Sequence, residues 1–190
     1  MKTQALVAAF AALATALPAA AAVETYTIDP RHTFPSFEVM HFGVSLQRGR
    51  FNKTSGTVKV DTEARQGSVE VTIDATSVDT GLDKLEEHVR AEDFLHASQF
   101  PTITFKGSQM AFEGDNLKSV TGELTMRGVT KPATLSAQHF TCRVHPMNKK
   151  QMCGGEFTAT IKRSDWGIKY AIPNLADEML LRINVEAYRD

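Results

Sequence analysis

The stretch Ile28-Asp29-Pro30-Arg31-His32-Thr33-Phe34-Pro35-Ser36-Phe37-Glu38-Val39-Met40-His41-Phe42-Gly43-Val44-Ser45-Leu46-Gln47-Arg48-Gly49-Arg50-Phe51 decides how the chain is read. It holds two strand patterns around a break at Gly43. Phe37, Val39 and His41 recur at period two, with Ser36, Glu38 and Met40 between them. Val44 and Leu46 begin the second run, which Gly49 interrupts before Phe51. Successive side chains of a strand point to opposite faces, so such a run has one face for an apolar interior and one for water. His41 is the odd member of the apolar face and a candidate polar contact inside an otherwise apolar cavity.

The same period continues downstream. Val58 and Val60, then Val69, Val71 and Ile73, then Ile103 and Phe105 alternate with polar neighbours. Val120, Gly122, Leu124 and Met126 share a face, as do Phe157, Ala159 and Ile161. Met179, Leu181, Ile183, Val185 and Ala187 line another. Gly, Asn and Asp punctuate the gaps at Glu113–Asn116, Arg127-Gly128 and Gly154-Gly155. Short, regularly spaced strands of this kind indicate an antiparallel sandwich or barrel. One window differs. Between Thr80 and Arg90, Leu82, Leu85 and Val89 recur at helical spacing, with Thr80 as the expected cap. A single helix in such a chain is expected to cover one end of a barrel.

The first 22 residues read as a secretory signal peptide. Lys2 supplies the positive region, Ala5–Leu17 the short apolar run, and Ala20-Ala21-Ala22 the small-residue cleavage site. The residue directly after Ala22 is Val23 and not a cysteine, which argues against a lipid-anchored form. The expected domain is a single one, Val23–Asp190, exported across a membrane. The chain carries 21 Lys and Arg against 22 Asp and Glu, a net charge of −1. No basic run stands out, which sets nucleic acid and anionic membrane surfaces aside as partners. No stretch after the leader is long and apolar enough for stable membrane insertion.

Cys142 and Cys153 are the two cysteines. In an exported chain an even count suggests a disulfide. With Met147-Asn148 as the apex of a hairpin, the two cysteines face each other across it, at distances a disulfide bridges. The alternative, a redox or metal-binding pair, wants tighter spacing and more ligands.

A search for catalytic chemistry comes back close to empty. There is no phosphate-binding glycine loop, no nucleophile elbow and no positioned triad. His32, His41, His88, His96, His139 and His145 are scattered, so neither a catalytic centre nor a metal or cofactor site is expected. This favours binding over catalysis. His41 and His139 both fall on strand faces with apolar neighbours, and His88 projects from the helix. The first two read either as satisfied core histidines or as contacts for the polar head of an apolar ligand, and His88 is placed to reach the same mouth. Trp166 in Arg163-Ser164-Asp165-Trp166-Gly167 reads either as a core anchor or as one wall of a pocket.

These residues resemble the YceI-like family over essentially the whole chain after the leader. The opening Tyr26-Thr27-Ile28-Asp29-Pro30-Arg31-His32-Thr33 is similar to the family's. So are Phe37–Gly43, Arg48–Phe51, Asp93-Phe94-Leu95 and Phe100–Phe105. Leu124-Thr125-Met126-Arg127-Gly128-Val129-Thr130-Lys131-Pro132 and Arg163–Gly167 complete a series of short motifs in the family's order, with Trp166 where Phe is common. The resemblance implies an all-β, antiparallel, eight-stranded, lipocalin-like barrel. It implies a long apolar tunnel for an isoprenoid quinone or polyprenyl lipid, with no catalytic step. The expected wall is Phe37, Val39, Leu124, Met126, Phe157, Ile161, Trp166, Leu181 and Ile183, with His41, His139 and His88 as candidate head-group contacts. Two alternatives stay open: a lipid- or quinone-modifying enzyme, and a structural protein with a filled barrel. A monomer and a homodimer both fit the sequence.

Overall fold

A tight turn places Phe42 and Gly43 at φ +52° and +67°, and Val44 N donates to His41 O at 3.0 Å. Glycine reaches this left-handed region at no steric cost. The turn joins β2 (Phe34–His41) to β3 (Ser45–Phe51), the hairpin that the period-two pattern predicts. The computed structural model describes residues 23–61 and 64–190. The expected signal peptide lies outside the described residues.

The remaining strands are β1 (Glu24–Ile28), β4 (Thr54–Asp61), β5 (Gln66–Asp74), β6 (Val78–Asp79), β7 (Thr102–Glu113), β8 (Asn116–Met126), β9 (Val129–Val144), β10 (Gln151–Lys162) and β11 (Leu175–Arg189). The one α-helix among the described residues, α1 (Asp83–Arg90), follows β6. All pairings are antiparallel, and β1-β4-β5-β7-β8-β9-β10-β11 closes on itself where β11 meets β1. The result is a closed eight-stranded barrel. Closure leaves the ring without free edges, which removes the usual liability of an open sheet.

One side of the wall is built from split strands. β1 and β2 run in sequence along β11, from Tyr26 opposite Arg189 to His41 opposite Leu175. The break between them, Asp29–Thr33, is pinned at both ends. Asp29 N donates to Glu186 O at 2.8 Å, and Glu186 N donates to Thr33 Oγ1 at 3.2 Å. The buried Asp29 carboxylate accepts from Arg31 N and Arg31 Nε at 3.0 and 3.1 Å, and His32 Nδ1 lies 2.9 Å away. The Arg31 side-chain hydrogen bond outweighs the opposing effect of burial. With further help from the Arg31 backbone and His32, it holds the carboxyl far below the usual carboxylate range.

α1 starts at Asp83 with Leu82 in the cap position and no side-chain cap. The expected cap, Thr80, lies two residues too early because the intervening turn passes through Gly81 at φ +76°. Glu86 reaches back instead, and its Oε1 accepts from Thr80 N at 2.9 Å. Leu85 and Val89 face the barrel interior, so α1 covers one end as expected.

Candidate functional site

The interior is hollow in two places. The first chamber, of about 540 Å³, lies under α1. The second, of about 390 Å³, lies toward the β9–β10 hairpin. Both volumes fall within the range of small-molecule sites. Pro35, Val71, Phe105, Leu135 and Ile183 line both chambers and form a waist between them.

The expected wall residues divide between the chambers. Phe37, Val39, Leu124, Met126, Ile161 and Leu181 line the first, Phe157 lines the second, and Ile183 lines both. Met110 and Met179 add flexible thioethers, one in each chamber. Such side chains adapt to occupants of different shape. Trp166 belongs to neither wall. It is 2% exposed, and its Nε1 donates to Leu124 O at 3.1 Å from behind the lining. The core-anchor reading is the right one, because the indole needs a partner for its N–H that an apolar tunnel does not supply.

The three candidate histidines also divide. His41 and His88 both sit at the open end of the first chamber, beside Gln47, Arg48, Thr80, Tyr170 and Asn174. The His41 ring stands edge-on to Phe42 at 4.5 Å. His88 contacts Phe94 and Tyr170 at 4.8 and 5.2 Å, and those two rings lie 5.4 Å apart. On its other side His88 Nε2 is 3.5 Å from Asp93. The mouth is therefore a cluster of rings with hydrogen-bonding nitrogens at its edge. His139 is not there: it is exposed and lines neither chamber. A β-bulge explains the miss. Phe157 pairs with Ala137 and Glu156 with His139, so Gln138 is an extra residue. One inserted residue exchanges the two faces of everything beyond it. Phe140 and Cys142 turn inward to the second chamber, and His139 turns out.

Several mouth residues carried no signal in the sequence. Tyr170 and Asn174 lie in an aperiodic segment between Gly167 and β11. What holds that segment is Arg163, 2% exposed. Its Nε donates to Ala176 O, Nη1 to Ile168 O, and Nη2 to Tyr170 O and Leu175 O, at 2.7 to 3.2 Å. Burial lowers the pKa of this guanidinium, although Asp177 nearby opposes the shift. Ser164 N and Oγ donate to Asp177 at 2.9 and 2.7 Å, and these bonds keep that carboxyl below its ordinary value against burial. The Arg-Ser-Asp-Trp-Gly motif is thus a clamp on the rim, closed by Gly167 at φ +79°.

Cys142 and Cys153 pair across the hairpin and form the disulfide, lining the second chamber. Among the described residues no three or more His, Cys, Asp or Glu side chains gather as a metal site. Among the same residues no helix is long and apolar enough to cross a membrane.

The chain is similar to known proteins over nearly its full length. It is 36% identical to a UPF0312 protein of Pseudomonas aeruginosa, covering 99% of this chain and 98% of that one. It is 36% identical to protein YceI of Escherichia coli, covering 98% and 97%. The crystal structure of BcnA from Burkholderia cenocepacia superposes with a TM-score of 0.70 at 27% identity, over 84% of this chain and 98% of that one. A domain from Saccharophagus degradans, described as polyisoprenoid-binding, shares the fold with a TM-score of 0.61 at 16% identity, over 87% and 98%. The YceI-like domain model matches residues 26–187, and the chain belongs to that family.

Proposed function

We propose that the protein binds a long-chain isoprenoid, such as a quinone or polyprenyl lipid, and carries or sequesters it in the periplasm. The observation that carries this reading is the pair of apolar chambers, stacked along the barrel and sharing five lining residues. A filled barrel would place side chains where these chambers lie. Each methylene taken from water contributes about 0.8 kcal/mol, so a long chain needs few polar contacts. The head group sits at the first mouth, against His41 and His88, and the chain threads the waist into the second chamber. The reading is of binding without catalysis and without a cofactor. The related fold of the Saccharophagus domain, described as polyisoprenoid-binding, supports the ligand class.

Native mass spectrometry of the mature protein, with extraction and identification of what co-purifies, tests this. A stoichiometric long-chain isoprenoid is the expected result. A protein that arrives empty and refuses added quinones and polyprenols would refute it.

A further inference from the structure

The chain's net charge is close to zero, yet its charges are not evenly placed. From Asp83 to Asp93, across α1 and the turn after it, five carboxylates stand against Lys84 and Arg90. From His139 to Gly155, at the other end of the barrel, there are three cations and no carboxylate. Arg143, Lys149 and Lys150 all belong to the β9–β10 hairpin, and no carboxylate pairs with any of them among the described residues.

The same hairpin exposes apolar side chains. Met147 is 84% and Val144 56% exposed. Phe140, 37% exposed, lines the second chamber and packs edge-on to Phe157 at 6.4 Å. The hairpin also overhangs the barrel. The β8 ladder ends at Ser119 opposite Ser136, so β9 beyond Ser136 has β10 on one side and, among the described residues, no strand on the other. Its tip is preformed. The disulfide staples its base, His145 N donates to Lys150 O at 2.8 Å, and Lys149 N donates to His145 O at 3.0 Å. His145 Nδ1 accepts from Met147 N and Asn148 N at 3.3 and 3.2 Å.

We propose that this hairpin is a docking surface for an anionic lipid bilayer, which it meets with Arg143, Lys149 and Lys150 around Met147 and Val144. Basic residues near an anionic membrane surface attract it electrostatically, and apolar side chains inserted among them add to the binding. Charge complementarity selects this hairpin over α1, whose carboxylates an anionic surface repels. Phe140 makes the docking face continuous with the second chamber, so the bilayer sits against an apolar path into the barrel. The low net charge conceals this surface from a count over the whole sequence.

The test is co-sedimentation of the mature protein with phosphatidylcholine vesicles, with and without phosphatidylglycerol. Retention on the anionic vesicles should exceed that on neutral ones and fall in high salt. Three charges predict that replacing Arg143, Lys149 and Lys150 by Glu weakens retention at least about a hundredfold. The neutral set R143Q/K149Q/K150Q serves where reversal impairs folding, judged by thermal melting. Lys169→Glu, a charge change at the opposite end, should leave retention unchanged. Equal retention on both vesicle types, or undiminished retention of the charge-altered variants, would overturn the proposal. Vesicle retention needs no isoprenoid ligand, so its failure leaves the reading of the chambers to its own test.

Discussion

Arg163→Met is the most informative single substitution in this barrel. Methionine keeps much of the apolar stem but none of the five guanidinium N–H donors. Four carbonyls then lose a charge-assisted partner: Ile168, Tyr170, Leu175 and Ala176. Hydrogen bonds to charged groups contribute about 1.5–3 kcal/mol each, and they do not add when they share one donor group. Ile168 is 4% exposed, so its carbonyl has the poorest access to water, whereas Tyr170 is on the surface and rehydrates. Removing a buried charge also recovers part of its desolvation cost. The net loss expected is about 4 kcal/mol, at the top of the range for one substitution. For a chain of this length that is a fall in Tm of roughly 8–16 °C. Arg163→Lys should lose about 2–3 kcal/mol, because an ammonium cannot span four acceptors with a planar fork. Guanidinium denaturation followed by far-UV circular dichroism measures both. A loss below about 1 kcal/mol for the methionine variant, or a lysine variant as stable as the parent, would refute the clamp.

Replacing both cysteines by serine, or reducing the bridge, should cost about 2–3 kcal/mol, read from denaturation with and without reductant. Asp29 has a folded pKa held below its ordinary value, so its contribution to stability is complete above the unfolded carboxyl value of 3.8 and fades as pH falls through the lower folded one. Stability of Asp29→Asn, compared with the parent across this acid range, should therefore show a deficit at neutral pH that narrows under strong acid; a constant deficit would contradict the assignment. Leu135→Trp at the waist should preserve binding of short prenols and weaken long ones, measured as affinity against chain length. His41→Ala should weaken ligands with polar heads more than plain hydrocarbons, and equal losses would remove His41 from the head-group contact.

Strand periodicity made most of the barrel legible. Phe37, Val39, Leu124, Met126, Phe157, Ile161, Leu181 and Ile183 all face the chambers because their strands run without interruption through those positions. His139 shows where the method stops. Period two is a local rule, and the extra residue at Gln138 reverses it with no glycine or proline to announce the change. The rim was hidden for another reason. Tyr170 and Asn174 are positioned by carbonyls bound to Arg163, and backbone acceptors leave no trace in residue identity. The hollow itself is a matter of volume, which depends on how eleven strands tilt and not on any one of their residues.

The helix over the first chamber buries none of its residues fully. Segments with little buried surface open at lower free energy than a hydrogen-bonded ladder. A cargo of the proposed kind would therefore exchange through fraying of α1 while the barrel stays intact. Residence time and global resistance to unfolding become separate quantities. Changes at Leu85 or Val89 would set how long a guest stays, and changes in the strands would set how long the container lasts.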